Sequence, residues 1–312
     1  MKVMLLGAAG FIGTNLVIEL AKKPGNEITV VDRDKRYFKT LENMHLPRVR
    51  FVESKLTMNS DYEGLIEGQD LLYHLISTTT PTTSNQCIAE ELKENVVLSA
   101  NLFEACVHQN VRKVVFLSSG GTVYGKESEC PLNENTSTNP ITSYGIQKVS
   151  IEKLLYLFNY LYGLEYRIVR LANPYGPFQR PNGVLGAVTT FTYKALKDEE
   201  ITVYGDGSVV RDFIYIDDAV RGIQRIVEGN DENKIFNLGC GYGTSIKEVL
   251  GAIERALNVR LKINYTEARK VDVPVNYLDI KRFETAYGRL NPISLEEGIK
   301  KTAEFMKTFY KL

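Results

Sequence analysis

Lys2-Val3-Met4-Leu5-Leu6-Gly7-Ala8-Ala9-Gly10-Phe11-Ile12-Gly13, with Ile28-Thr29-Val30-Val31-Asp32 close behind, decides how the chain folds. Lys2 to Leu6 is an apolar run of strand length, and Thr14 to Lys23 carries the apolar period of a helix. The glycines between them make a tight turn. A β-carbon at Gly7 or Gly10 would obstruct that turn or hold the backbone away from a bound group, and a bare Gly13 lets the helix lie close on its strand. The N–H groups at the helix start then form an anion site. Asp32 ends the second strand nineteen residues past Gly13, where a carboxylate accepts hydrogen bonds from a ribose. This order of elements predicts a dinucleotide site. Asp32 repels a 2′-phosphate and favours NAD, although Arg33 beside it would attract one.

The 312 residues include 38 Lys plus Arg and 38 Asp plus Glu, so no net field recommends nucleic acid or an anionic membrane as a partner. Cys87, Cys106, Cys130 and Cys240 are scattered without C-x-x-C spacing, which argues for reduced thiols and against a zinc site. No stretch approaches the roughly twenty apolar residues of a membrane span, and the first apolar run is too short for a signal peptide. The expectation is a cytoplasmic protein without metal.

Strands and helices alternate onward. Strands are expected at Val49–Val52, Leu71–Ile76 and Val114–Leu117, with helices up to Leu46, near Asp61–Glu67 and at Glu90–Gln109. The alternation predicts an α/β fold: a Rossmann-type doubly wound parallel sheet whose ligands gather at the strand C-termini. Beyond Arg170 it loosens, with Gly and Pro clustered from Asn173 to Gly186. Helices are expected at Leu185–Leu196, Asp217–Glu228, Ser245–Leu257 and Ser294–Tyr310, and short strands at Ile201–Tyr204 and Leu261–Tyr265. The division is residues 1–172 for the dinucleotide domain and 173–312 for a smaller α/β substrate domain, with segments near 212–240 able to rejoin the first. The Glu90–Gln109 and Ile146–Tyr162 stretches are apolar around most of their circumference. Such helices are expected to be buried all round, by the second domain or by a second copy in a homodimer.

Tyr144 and Lys148 stand four apart at the start of a long helix and share a face. Bringing a tyrosine from its usual pKa of about 10 to about 7 takes roughly 4 kcal/mol, and a nearby cation acts in that direction. That pairing, downstream of a nucleotide turn, suits a proton acceptor.

The chain resembles the extended short-chain dehydrogenase/reductases, and among them the UDP-glucose 4-epimerase group. The likeness is carried by Gly7–Gly13, Asp32, His74, Asn95-Val96, Ser118–Gly125, Ser143–Lys148, Arg170–Pro177 and Val210–Asp218. It implies NAD contacts at Gly7, Gly10, Phe11, Ile12, Gly13, Asp32, Leu75, Tyr144, Lys148 and Pro174. It implies that Tyr144 takes a proton from a sugar hydroxyl as C4 yields hydride to NAD, with Lys148 holding the nicotinamide ribose and lowering the tyrosine pKa. A UDP-hexose is the expected substrate, contacted by Ser119, Asn173, Val184, Tyr204, Arg211, Arg269 and Asp272. Asn276, with Tyr277 beside it, is the position facing the C2 substituent.

Two departures stand out. Lys55 occupies the place of an Asp that meets the adenine amino group, and a lysine offers no acceptor. The assisting hydroxyl depends on the direction of counting. Back from Val123-Tyr124-Gly125 it falls on Gly120, whereas forward along Val114–Ser118 it falls on Ser119. Strand register favours Ser119, with Thr122 in reserve and the extra residue taken up as a bulge at Gly120-Gly121. His74 reads as a hydrogen-bonded core histidine. The competing readings are a 4,6-dehydratase, which needs an Asp–Glu pair where Gly120-Gly121 stand, a keto-sugar reductase, and a non-catalytic dinucleotide sensor.

Overall fold

Side chains along the central strands alternate between two buried faces. Val3, Leu5, Tyr73, Val115, Leu117 and Val169 belong to one apolar cluster, while Met4, Leu6, Leu72, Val114, Phe116 and Ile168 belong to another. A strand has period 2, so a sheet buried on both sides must be apolar at every position. The computed structural model describes residues 1–126, 129–181, 186–268 and 273–312. Its main sheet has seven parallel strands in the order Ile235–Leu238, Tyr166–Leu171, Lys113–Ser119, Leu71–His74, Lys2–Leu6, Glu27–Asp32, Val49–Glu53. The helices Phe11–Ala21 and Ile216–Glu228 cover the first face with Leu16, Val17, Leu20, Val220 and Ile223. Leu102, Phe103, Ile151, Leu155 and Phe158, from Leu98–His108 and Ser143–Tyr162, cover the second. Full burial of each such side chain contributes about 1.5–3 kcal/mol.

The chain builds outward from Lys2–Leu6 on one side and then crosses to the other. The C-terminal ends of Lys2–Leu6 and Leu71–His74 therefore flank a switch point, where an α/β sheet opens a crevice. Around that edge sits a smaller group of elements. The helices Ala187–Leu196, Ile246–Leu257 and Leu295–Tyr310 pack on one another. Ile201–Tyr204 pairs with Ile263–Thr266, and Val210–Arg211 lies between Thr244–Ser245 and Val275–Asn276. The strand Ile235–Leu238 rejoins the main sheet beside Tyr166–Leu171.

Three details differ from the sequence reading. The first helix begins at Phe11 rather than Thr14. The helix expected at Glu90–Gln109 runs from Ile88 to His108 and widens into a π turn at Lys93–Val97. There Asn95 Nδ2 bonds Glu91 O at 2.8 Å and its Oδ1 takes the Thr78 N–H at 2.9 Å, so one side chain ties the widened turn to the loop after Leu71–His74. The long helix is not buried all round. Tyr156, Leu157, Tyr160, Leu161 and Tyr162 are exposed, Tyr160 to 77%, because the helix packs on its neighbours between Ile88 and His108 and on the strands Lys113–Ser119 and Tyr166–Leu171 through its other face.

Candidate functional site

The glycine turn has the space its sequence requires. Gly7 sits at φ +78°, and a β-carbon there would come within 3.1 Å of the Leu75–Ile76 backbone. At Gly13 a β-carbon would lie 2.4 Å from Ala8 Cα, so helix and strand touch backbone to backbone. At Gly10 it would meet only Gly7 O, at 3.6 Å, and no side chain caps the helix start, which leaves the first-turn N–H groups of Phe11 and Ile12 to an anionic ligand. Asp32 ends its strand with one oxygen on the Ala9 N–H at 3.1 Å and the other on the Arg33 N–H at 2.8 Å. It thus braces the turn as well as offering acceptors. These residues fit a dinucleotide pyrophosphate and ribose. Lys55 is exposed on the loop after Val49–Glu53.

Across the crevice, Lys113–Ser119 ends on Ser119, paired with Leu171. The long helix starts nearby under two caps: Thr142 Oγ1 accepts the Gly145 N–H at 3.1 Å and Asn85 Oδ1 the Ser143 N–H at 2.7 Å. Tyr144 follows at once. Burial of its phenol pushes the pKa up to about 12, and the nearby Ser119 hydroxyl pulls the other way. Lys148 Nζ donates to Leu117 O at 2.9 Å and lies 5.5 Å from the Tyr144 ring centre. Burial lowers the Lys148 pKa to about 8, while the Glu152 carboxylate acts to raise it.

The glycine pair after Ser119 forms a turn, with the Thr122 and Val123 N–H groups on Ser119 O, rather than the expected bulge. Neither Gly120 nor Gly121 has a positive φ. Gly120 is there for space: its β-carbon would fall 2.6 Å from Leu278 Cδ1, so a hydroxyl side chain at 120 would point into Leu278. A β-carbon on Gly121 would sit 3.9 Å from both Ser119 Oγ and Asn173 Oδ1, which puts these two polar atoms on one side of the turn. Thr122 Oγ1 is buried without a partner.

The remaining candidates divide. Asn173 N and Nδ2 both donate to Asp212 O at 2.9 Å, and Pro174 follows in the strand Asn173–Tyr175. Arg211 Nη1 donates to Val210 O and to Val273 O, so it straps the strand Val275–Asn276 to its own. Tyr204 is exposed at the end of Ile201–Tyr204. Asn276 is buried with its Nδ2 unpartnered, whereas the Tyr277 ring is close to Gly243. Val184, Arg269 and Asp272 lie outside the described residues. His74 Nε2 meets Ser99 Oγ at 2.8 Å, and burial pushes its pKa down to about 3, so it is a neutral core group.

Residues 3–239 match the profile of the NAD dependent epimerase/dehydratase family. The chain belongs to this family. NAD is accordingly its cofactor. A UDP-glucose 4-epimerase of Mycolicibacterium smegmatis is 32% identical over 313 residues, spanning 98% of this chain and 99% of the relative. A dTDP-4-dehydro-6-deoxyglucose reductase of Escherichia coli is 30% identical over 304 residues, spanning 96% and 95%. Among solved structures, the UDP-glucose 4-epimerase of Thermotoga maritima with UDP-glucose superposes with a TM-score of 0.91 at 32% identity, covering 99% of this chain and all of that one.

Sequence reasoning passed over two buried carboxylates beside the site. Asp212, fully buried, accepts N–H groups from Cys240 at 2.7 Å, Gly241 at 3.3 Å and Leu278 at 3.4 Å, and burial pushes its pKa up to about 6. Glu152 is paired with Arg170. Each could have been suspected as an acid inside an otherwise apolar stretch, but their partners lie far along the chain.

Proposed function

We propose that the protein is an NAD-dependent UDP-sugar 4-epimerase in which Tyr144 is the proton acceptor and donor at the sugar O4. The observation that carries this reading is the gathering of Tyr144, Ser119 and Lys148 at the strand C-termini, with the glycine turn at the same sheet edge. The glycine turn and Asp32 would hold NAD, which would supply a hydride acceptor and donor for the sugar C4. Tyr144 receives the O4 proton and gives it back, Ser119 holds the same oxygen, and Thr122 stands behind it with its unpaired hydroxyl. Lys148 fixes the nicotinamide ribose and balances the phenolate charge. In the substrate half, residues 173–312 less the returning strand, Asn173, Arg211 and Tyr204 receive the nucleotide sugar, with Val184, Arg269 and Asp272. Asn276 is smaller than a tyrosine and keeps an unpaired donor, which supports acceptance of an N-acetyl group at C2.

A 4,6-dehydratase is disfavoured because Gly120-Gly121 supplies no acid pair and leaves no room for a side chain at 120. A reductase is the second reading, favoured by the likeness to the Escherichia coli reductase. The test incubates the protein with UDP-galactose and with UDP-N-acetylgalactosamine without added reductant. Formation of the 4-epimer supports the proposal; stoichiometric consumption of NADH or NADPH with a 4-keto sugar, and no epimer, overturns it. The exposed apolar face of the long helix supports a homodimer, and the substrates support a cytoplasmic location. Sedimentation of wild-type protein as a dimer and of Tyr160→Glu as a monomer is the expected result.

A further inference from the structure

Glu152 lies one turn beyond Lys148 and two beyond Tyr144 on the long helix, 3% exposed. Its carboxylate accepts Ser118 Oγ at 2.6 Å and Arg170 Nη2 at 2.6 Å and Nε at 3.1 Å. Ser118 immediately precedes Ser119, and Arg170 stands three residues before Asn173. Arg170 Nη1 goes on to the Tyr124 hydroxyl at 3.1 Å, which in turn donates to Asn237 Oδ1 at 2.6 Å on the edge strand. One carboxylate thus joins the helix bearing Tyr144 and Lys148 to the two strand ends bearing the other polar site groups.

Packing alone does not account for this arrangement. An apolar group of similar volume serves stability as well as a buried ion pair or better, because both charges must leave water. The surroundings of Lys148 give the charge another use. The groups that face it are neutral His74 on Leu71–His74, the Phe116 ring at 4.7 Å and Leu117 O on Lys113–Ser119, and Tyr144 on its own helix. Among the described residues Glu152 is the anion acting on it, while Arg170, the cation of the network, is engaged by Glu152 itself.

We propose that Glu152 is a positioning residue, which registers the Tyr144–Lys148 helix against Ser119 and Asn173 through Ser118 and Arg170 and supplies the negative charge that the Lys148 ammonium faces. The proposal rests on the epimerase reading for the role of Lys148. Removing that charge leaves burial to lower the Lys148 pKa unopposed, so the lysine goes neutral at a lower pH.

The test is Glu152→Gln, which keeps the shape and one carbonyl acceptor. Two readouts are used. The first is the alkaline limb of kcat, measured on whichever nucleotide-sugar reaction the wild type performs. The second is the titration of Lys148 by NMR of 13Cε-labelled lysine in the protein without substrate, assigned with Lys148→Met. Both midpoints are expected to move down by about one pH unit, so that kcat falls roughly tenfold near pH 9 but little near pH 6.5, with KM unchanged. Glu152→Asp is expected to recover the limb. If Glu152→Gln does not fold, Glu152→Leu/Arg170→Met replaces the pair by apolar groups and is expected to show the same displacement. Wild-type midpoints in a folded, NAD-binding variant overturn the role of Glu152. Loss of redox-neutral turnover in the wild type overturns the epimerase reading instead.

Discussion

Replacing Asp212 by Asn separates stability from substrate binding, and the structure sets the size of both effects. In the folded protein the Asp212 pKa rises from an ordinary 3.8 to about 6, chiefly by burial, with three backbone N–H bonds acting against the rise. That difference corresponds to about 3 kcal/mol. Because the folded state holds the proton more tightly than the unfolded chain, this stabilisation is complete below about pH 4 and is lost as pH rises through about 6. At neutral pH the buried charge therefore costs stability. An asparagine removes that cost, but its NH2 group now faces donors. Its one carbonyl oxygen can serve Cys240, which leaves Gly241 and Leu278 without their acceptor, at about 1–3 kcal/mol for each buried donor. The two effects oppose each other, about 3 kcal/mol gained against about 2–6 lost, so urea unfolding of Asp212→Asn at pH 7 is expected within about 3 kcal/mol of wild type. Geometry does not cancel. Asp212 holds Leu278, two residues on from Asn276, and its own carbonyl holds Asn173. A loss of about 1.4 kcal/mol expressed there raises KM tenfold. Protonation of Asp212 in the wild type has the same consequence, so KM is expected to rise below about pH 6. In the variant, KM is high throughout and this acid dependence is gone. Epimerisation kinetics from pH 5 to 8 check both statements. A variant with wild-type KM and a wild-type acid limb refutes the argument.

Tyr144→Phe is expected to abolish turnover while NAD still co-purifies, since the ring packs as before but no proton acceptor remains; near-normal kcat would remove Tyr144 from the mechanism. Ser119→Ala should lower kcat by roughly 10²-fold or more, the size of one positioned donor, and Thr122→Ala should cost less. The reverse order, measured side by side, would mean that the turn and not the strand delivers the hydroxyl. Gly13→Ala drives a β-carbon into Ala8 Cα and its carbonyl, backbone that cannot swing aside. A stability loss of about 1–3 kcal/mol and loss of bound NAD are expected, read by thermal unfolding and by absorbance of the purified protein.

The forward count to Ser119 shows how far strand logic reaches. Register along Val114–Ser118 follows from local alternation, and the strand does run through Ser119. Why residue 120 is glycine was not legible, because the atom that forbids a side chain there belongs to Leu278, far along the chain. Similarly, the apolar circumference of the long helix was visible, but which part of the protein would cover it was not.

Local order determined the opening strand–turn–helix–strand unit, the parallel sheet implied by alternation, and the four-residue spacing of Tyr144 and Lys148. These depend on neighbours within a few residues, where backbone geometry and side-chain period act directly. Tertiary structure alone decided that Ser119 meets Tyr144, that Glu152 takes its partners from two strands, and that Asp212 collects N–H groups from segments near 240 and 278. A buried carboxylate must find donors wherever the fold brings them, and nothing in the residues adjoining it says where that is.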